Sequence, residues 1–264
     1  MDRVETPFSA AARPGRRIGH AVETHESIGS TSDRARELLE LPDGAGTAVV
    51  AEHQSDGRGR RGRTWVSPAG RNLLVSVAYR PRLAASDAWQ LGLAVALAAH
   101  DACRTVAPVH LKWPNDLVAD DGRKAGGMLI ETAIDGDRVV TATMGIGINV
   151  NWAVAEMSGE GVGPATSLSE LAGVAVDRGA LLTVLLARLD AELSAIEAGA
   201  SPLHRYRAAC RTLGSQVTVE AGSRTIEGVA VAIDEAGSLV VESAAGRVAV
   251  TSGEVVRVRP AMPA

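Results

Sequence analysis

The sequence predicts an α+β domain over residues 21–212, followed by a small β domain over residues 213–264 and preceded by a flexible arm over residues 1–20. Three observations carry this. Strand-length and helix-length apolar segments intermingle up to about residue 212. From Leu213 the texture becomes alternating Val-rich runs broken by Gly, Ser and Asp turns. An apolar content of 46% over 264 residues suits one sizeable core with a small appendix.

The elements follow in order. Met1 to His20 is polar and Arg/Pro-rich and reads as a loosely attached arm. "AVETHESIG" reads as a short strand and "STSDRARELLEL" as a helix start, with Ser32 or Thr31 as N-cap and Ala35, Leu38 and Leu39 as its apolar stripe. "GTAVVAEHQ" and "NLLVSVAYR" are strands on either side of an Arg/Gly loop. Ser86 to Arg104 is an apolar helix, and "VHLKW" is extended up to Pro114, which disfavours a helical Trp113. A hairpin follows, "DLVA" and "AGGMLIETAI" about the turn "DDGRK". A second turn at Asp135 to Asp137 leads into "RVVTATMGIGINV". Asp177 caps a long helix to about Ala198, and Leu203 to Thr212 reads as another. The last fifty or so residues carry four or five short strands, the pattern of a small antiparallel barrel.

Composition narrows the function. No apolar run reaches the ~18 residues of a membrane helix, and the N-terminus lacks the apolar stretch of a signal peptide. Cys103 and Cys210 form no C-x-x-C and imply no disulfide framework. A soluble cytoplasmic protein is expected. The net charge of −4 argues against a general nucleic-acid binder, whose domains display a broad basic face. The six histidines show no metal-ligand spacing, and no protein metal site is expected.

Against that acidic background, "DGRGRRGRTW" (Asp56 to Trp65) sets four arginines against one aspartate. Gly57 to Gly62 satisfies G-x-G-x-x-G, but a strand rather than a helix follows, so a dinucleotide fingerprint fails. A kinase glycine loop lacks its H-R-D and D-F-G companions, and no Walker A sequence exists. An Arg/Gly nucleic-acid arm is the rival from another class. Such arms lie at termini with interleaved aromatics, whereas this loop sits between two strands with Trp65 alone. A plain solvated basic loop is the remaining alternative.

Lysine usage adds a second signal. The chain has twenty-five arginines but only two lysines, Lys112 and Lys124, both inside "LKWPNDLVADDGRKAGGMLIE". Chance clustering is one reading; the other is that these positions need a compact ammonium that a guanidinium cannot replace.

Taken together, "GSTS" (Gly29 to Ser32), Gln54 with "GRGRRGRTW", "GRNLLVS" (Gly70 to Ser76), "KWPND" (Lys112 to Asp116), "RKAGGMLIE" (Arg123 to Glu131) and "GIGINVN" (Gly145 to Asn151) resemble the biotin–protein ligase family. The combination and order are specific over roughly Val22 to Leu171, and the terminal piece matches more loosely. The resemblance implies a mixed β-sheet catalytic domain packed with helices and a C-terminal SH3-like β-barrel. Some bacterial relatives carry an N-terminal helix-turn-helix that represses biotin genes. Only some twenty residues precede the first strand here, so neither that role nor DNA binding is expected. The residue after Ser-Thr, often Asn in the family, is Ser32. A lipoate–protein ligase of the same fold is the nearest alternative, but its Arg-Arg followed by Gly-Gly-Gly is not found.

The implied reaction joins biotin to ATP, accompanied by Mg²⁺, as biotinyl-5′-AMP. It then passes biotin to a lysine of a biotin carboxyl carrier domain of biotin-dependent carboxylases. No membrane partner is expected, and a homodimer is left open. Bringing a carboxylate to a triphosphate demands cancellation of like charge, which guanidiniums on a glycine-rich loop can supply. The loop is expected to order over the reactive adenylate and exclude water. By resemblance Arg58 lies nearest the biotin carboxylate and α-phosphate, and Lys124 bridges the two. Asp116 is either the base for the acceptor amine or a turn-capping residue, and Lys112 is better read as a member of a structural ion pair than as a catalytic residue. Ser30, Thr31, Ser32 and Gln54, with Gly57, Gly59, Arg60, Gly126 and Gly127, are the expected biotin contacts; capping is the alternative for Ser30 and Thr31. Arg58, Arg60, Arg63, Lys124, Trp65 as a stacking surface and Asn149 as a reader of the base edge are expected at ATP. Trp113 is better explained by core packing.

Overall fold

The computed structural model describes residues 7–157 and 164–260. Two sheets organise it. The larger is built from β1 (Val22–Ile28), β2 (Ala48–Gln54), β3 (Leu73–Tyr79), β4 (His110–Lys112), β5 (Asp116–Val118), β6 (Lys124–Asp135) and β7 (Arg138–Ile148). Its strand order is β1-β2-β3-β7-β6-β5-β4. The β1–β2 pair is parallel and the others are antiparallel, giving the expected mixed sheet.

Helices cover both faces, and strand alternation sorts the side chains between them. Helix α1 (Thr31–Leu38) packs Ala35, Leu38 and Leu39 against Val49 and Ala78 on one face. The opposite face carries the main core, where Val50, Val75 and Val77 meet α2 (Trp89–Cys103) and Leu182, Leu185 and Leu189. Because β3 is buried on both faces, it reads as a near-continuous apolar run. Short α3 (Leu168–Ala172) precedes the long α4 (Arg178–Glu197). Asp177 caps α4 as expected, its carboxylate accepting the Gly179 and Ala180 N–H groups at 2.8 and 3.0 Å.

The C-terminal strands β8 (Ser215–Ala221), β9 (Arg224–Ile233), β10 (Leu239–Ser243), β11 (Gly246–Val250) and β12 (Glu254–Pro260) form one antiparallel sheet, ordered β11-β10-β9-β8-β12. It is fastened to the larger domain through polar contacts. Trp113 Nε1 donates to the Gly237 carbonyl at 3.1 Å while its ring is 3% exposed, in keeping with a packing role. No helix among the described residues is long and apolar enough to cross a membrane.

Four local expectations need correction. Helix α1 is capped by Ser30, whose hydroxyl accepts the Ser32 N–H at 3.3 Å, and not by Thr31 or Ser32. The Thr31 N–H is instead taken by the Gln54 side chain, a partner invisible to a local reading. The apolar helix begins at Trp89 because a separate 3-10 turn, Ala85–Asp87, intervenes. Helix α5 (Leu203–Ala209) stops early because Cys210 turns extended and bridges to Leu111. Finally, residues 7–20 are docked on the core rather than loosely attached. Phe8, Ala11 and Ile18 are buried, and the Arg178 guanidinium lies 5.2 Å from the Phe8 ring centroid. A few apolar anchors hold this polar stretch, and average composition hides them; residues 1–6 lie outside the described residues.

Candidate active site

A cavity of about 1450 Å³ opens between the start of α1, the Arg/Gly loop, the α1 face of the sheet and the C-terminal domain. The sequence-predicted site residues all line it except Gly57 and Gly126. Gly57 stands at the base of the loop, where a Cβ would come within 2.6 Å of the Trp65 carbonyl oxygen. Gly126 lies beneath the floor, where a Cβ would approach the Gly147 carbonyl oxygen to 2.9 Å.

Register explains why distant residues converge. One row runs Lys112, Asp116, Gly127, Gly147 and Leu74 across β4, β5, β6, β7 and β3. A second row, two residues along, runs Leu129, Gly145 and Ser76. Residues two apart on a strand share a face, so both rows look into the cavity.

Hydroxyl and amide groups cluster at one end. Gln54 Oε1 accepts from the Thr31 N–H at 2.8 Å and from Thr31 Oγ1 at 3.0 Å. Ser76 Oγ lies 2.8 Å from Thr31 Oγ1 and 3.0 Å from Ser32 Oγ. The cluster is tight: a Cβ at position 145 would sit 3.0 Å from Ser32 Oγ. Sequence reasoning missed Ser76 as a site residue, although a lone serine inside the apolar run "LLVSVA" was the available signal.

The floor is made of glycines. A Cβ on Gly147 would lie 2.7 Å from Trp65 Cε2, and one on Gly127 would lie 3.1 Å from Lys124 Nζ and 3.3 Å from Trp65 Cζ3. The indole therefore settles to a depth that no side chain at these positions permits. Its Nε1 is buried without a hydrogen-bond partner among the described residues, as is Arg58 Nε. Two orphaned donors at a cavity wall favour an occupant rich in acceptors.

The two lysines meet one carboxylate. Lys124 Nζ is 2.5 Å from Asp116 Oδ1, and Lys112 Nζ is 3.6 Å from Oδ2. Lys124 Nζ also lies 5.5 Å from the Trp65 ring centroid. The main chain of Lys124 is held from behind: its N–H donates to the Pro164 carbonyl, and its carbonyl accepts from the Thr166 N–H. Asn149, 4% exposed, donates its amide hydrogens to the Lys124 and Thr166 carbonyls and accepts from Asn72 Nδ2. The amide is thus largely committed to the backbone, leaving spare acceptor capacity on Oδ1 toward the cavity. Asn72, missed by sequence reasoning, fixes that orientation.

The loop is a closed hairpin. Trp65 N–H donates to the Gly57 carbonyl at 2.8 Å, Gly59 N–H to the Arg63 carbonyl at 2.7 Å and Arg63 N–H to the Arg60 carbonyl at 3.3 Å. Its tip has φ of 59° at Arg61 and 72° at Gly62, the paired left-handed conformation of a type I′ turn. Arg58 reaches Asp33 at 2.7 Å and Glu131 at 3.5 Å. Arg60 donates to Asn115 Oδ1 and the Gly253 carbonyl, both at 3.2 Å. Alone among the loop's arginines, it has no carboxylate within 4.0 Å among the described residues. Burial pushes its pKa below the ordinary arginine value, against the opposing pull of Asp116 and Glu254. An anion beside Arg60 would relieve that cost.

Residues 25–149 match the biotin/lipoate A/B protein ligase family, and residues 212–258 match the biotin protein ligase C-terminal domain. Over 239 residues the chain is 35% identical to a biotin–[acetyl-CoA-carboxylase] ligase of Paracoccus denitrificans, spanning 86% of this chain and 98% of that one. The chain belongs to the biotin protein ligase family. A second ligase of that name, from Mycobacterium tuberculosis, is 33% identical, with 98% of each chain covered. The fold agrees: the biotin protein ligase of Aquifex aeolicus in complex with biotin and ATP superposes with a TM-score of 0.75 at 30% identity, covering 91% of this chain and 99% of that one. The two matched segments of this biotin protein ligase family member fall one in each sheet domain, and both contribute walls to the cavity.

Proposed function

We propose that the chain is an ATP-dependent biotin–protein ligase that acts on the biotin carboxyl carrier domain of a biotin-dependent carboxylase. The observation that carries this is one cavity with a hydroxyl–amide cluster at Ser30, Thr31 and Gln54 and a cationic wall at Arg58, Arg60 and Lys124. Biotin presents a ureido group needing buried donors and acceptors at one end and a carboxylate at the other.

In the first step, a biotin carboxylate oxygen bonds to the α-phosphorus of ATP and the bond to the β-phosphate bridge breaks, releasing pyrophosphate. Arg58 and Arg60 cancel the repulsion between the two anions, and Lys124 stabilises charge on the oxygens between them. Magnesium enters with ATP as part of that substrate, and no protein ligand is assigned to it. Trp65 supplies the adenine stacking surface and Asn149 an acceptor for the base edge, while Arg63, expected at ATP from the sequence, is instead engaged by Glu254. In the second step, the carrier's lysine nitrogen bonds to the acyl carbon, the carbon–oxygen bond breaks and AMP leaves. A protonated amine is not a nucleophile, so Asp116 guides it and takes its proton.

The loop's contacts weigh against the nucleic-acid reading. Arg58 and Arg63 are turned to the protein's own carboxylates rather than outward. The test is incubation with ATP, Mg²⁺, labelled biotin and a carrier domain, with a carrier lacking its target lysine as control. Label on the intact carrier alone is the expected result. Incorporation of lipoate in place of biotin, or no incorporation of either, would overturn the assignment.

A further inference from the structure

The tip of the arginine loop is held by the other domain. Arg63 Nη1 lies 2.5 Å from Glu254 Oε1 at the start of β12. Arg61 donates to the Glu220 carbonyl at 3.3 Å, with the Glu220 and Glu254 carboxylates 3.8 and 3.9 Å away. Arg60 donates to the Gly253 carbonyl. Contacts from three arginines thus tie a loop inserted between β2 and β3 to segments more than 150 positions along the chain.

The arginines divide by what they reach. Arg58 stays within the larger domain at Asp33 and Glu131, Arg60 joins the cavity wall to Gly253, and Arg61 and Arg63 reach the carboxylates across the seam. The conformation needs this support. A left-handed φ at Arg61, a residue with a Cβ, is unfavourable by itself and persists where surroundings fix it. A single exposed ion pair contributes little, but here it is one of a group that includes two carbonyl acceptors.

Resting on the ligase reading above, we propose that Glu254 is a positioning residue for the adenylate site, anchoring Arg63 so that the C-terminal domain keeps the arginine hairpin closed over the cavity. Its role is retention: the closed hairpin keeps biotinyl-5′-AMP in and water out, and loss of the anchor lets the intermediate escape. The C-terminal domain becomes half of the lid's latch.

The test uses the full chain and three variants: Glu254→Gln, Arg63→Gln and the exchanged pair Arg63→Glu with Glu254→Arg. Release of preformed biotinyl-5′-AMP is followed by rapid filtration, alongside biotin affinity. Each single variant is expected to release the adenylate roughly tenfold faster, a coupling in the usual range between linked sites. Biotin affinity should change less than twofold, because the Ser30–Gln54 end is untouched, and the exchanged pair should recover most of the retention. Equal release from all four proteins would overturn the proposal, as would slow release from the singles with fast release from the exchanged pair. A parent chain that forms no biotinyl-5′-AMP would instead sink the ligase reading.

Discussion

Lys124 and Asp116 form a tight ion pair in the cavity wall, 2.5 Å from Nζ to Oδ1, although they stand eight positions and a tight turn apart. Strand register makes the pair: Asp116 is opposite Gly127, whose missing side chain leaves room for the lysine stem. Lys124→Ala is expected to slow adenylation by about 10²–10³-fold, the range for losing one preorganised charge donor. Pyrophosphate release under saturating biotin and ATP checks it.

Asp116→Asn should separate the two half-reactions. If the carboxylate takes the acceptor's proton, transfer from preformed biotinyl-5′-AMP to the carrier falls by about 10²-fold or more. Adenylation, which needs no base, falls less. Single-turnover transfer measured beside adenylation distinguishes this from a turn-capping role, which would lower both alike.

Gly147→Ala places a methyl group within 3.0 Å of three indole atoms of Trp65. Overpacking of this kind costs about 1–3 kcal/mol and lifts the ring off the floor. The expected outcome is a KM for ATP raised roughly tenfold with biotin affinity preserved. Initial rates against each substrate read the difference.

His100 supplies a pH dependence. Its ring is buried on α2, with Nδ1 3.0 Å from Asp101 Oδ1 and Nε2 without a partner among the described residues. Burial holds its pKa below the ordinary value, outweighing Asp101, so the folded state binds a proton there less readily than the unfolded chain. The unfolded chain binds a proton there below about pH 6.5. Stability from this residue is therefore complete above that pH and declines as pH falls below it. His100→Gln is expected to flatten the fall in Tm between about pH 7 and 5, measured by thermal melts across that range.

Local chemistry made much of this molecule readable. Alternating apolar runs between glycine turns gave the strands, Asp177 announced α4, and the two lysines marked a stretch that lines the cavity. What escaped reading depends on contacts between remote positions. Capping was legible at Ser30, but the choice of Ser30 over Thr31 and Ser32 goes with Gln54 claiming the Thr31 N–H, and Ser76 matters only because register sets it beneath α1. Docking of Phe8 is equally remote: it requires Arg178 beside it, while Gly179 has no room for a side chain, since a Cβ there would lie 2.0 Å from the Pro7 carbonyl oxygen. Neither periodicity nor composition encodes such pairings.

The scarcity of lysine has a chemical consequence for a chain that makes an acyl phosphate. Such mixed anhydrides acylate exposed amines indiscriminately, and guanidiniums scarcely at all. Here both lysines are salt-bridged to one aspartate in the cavity wall, and every other basic side chain apart from histidine is arginine. The proposed adenylate would thereby meet almost no side-chain amine on the surface of the chain that generates it.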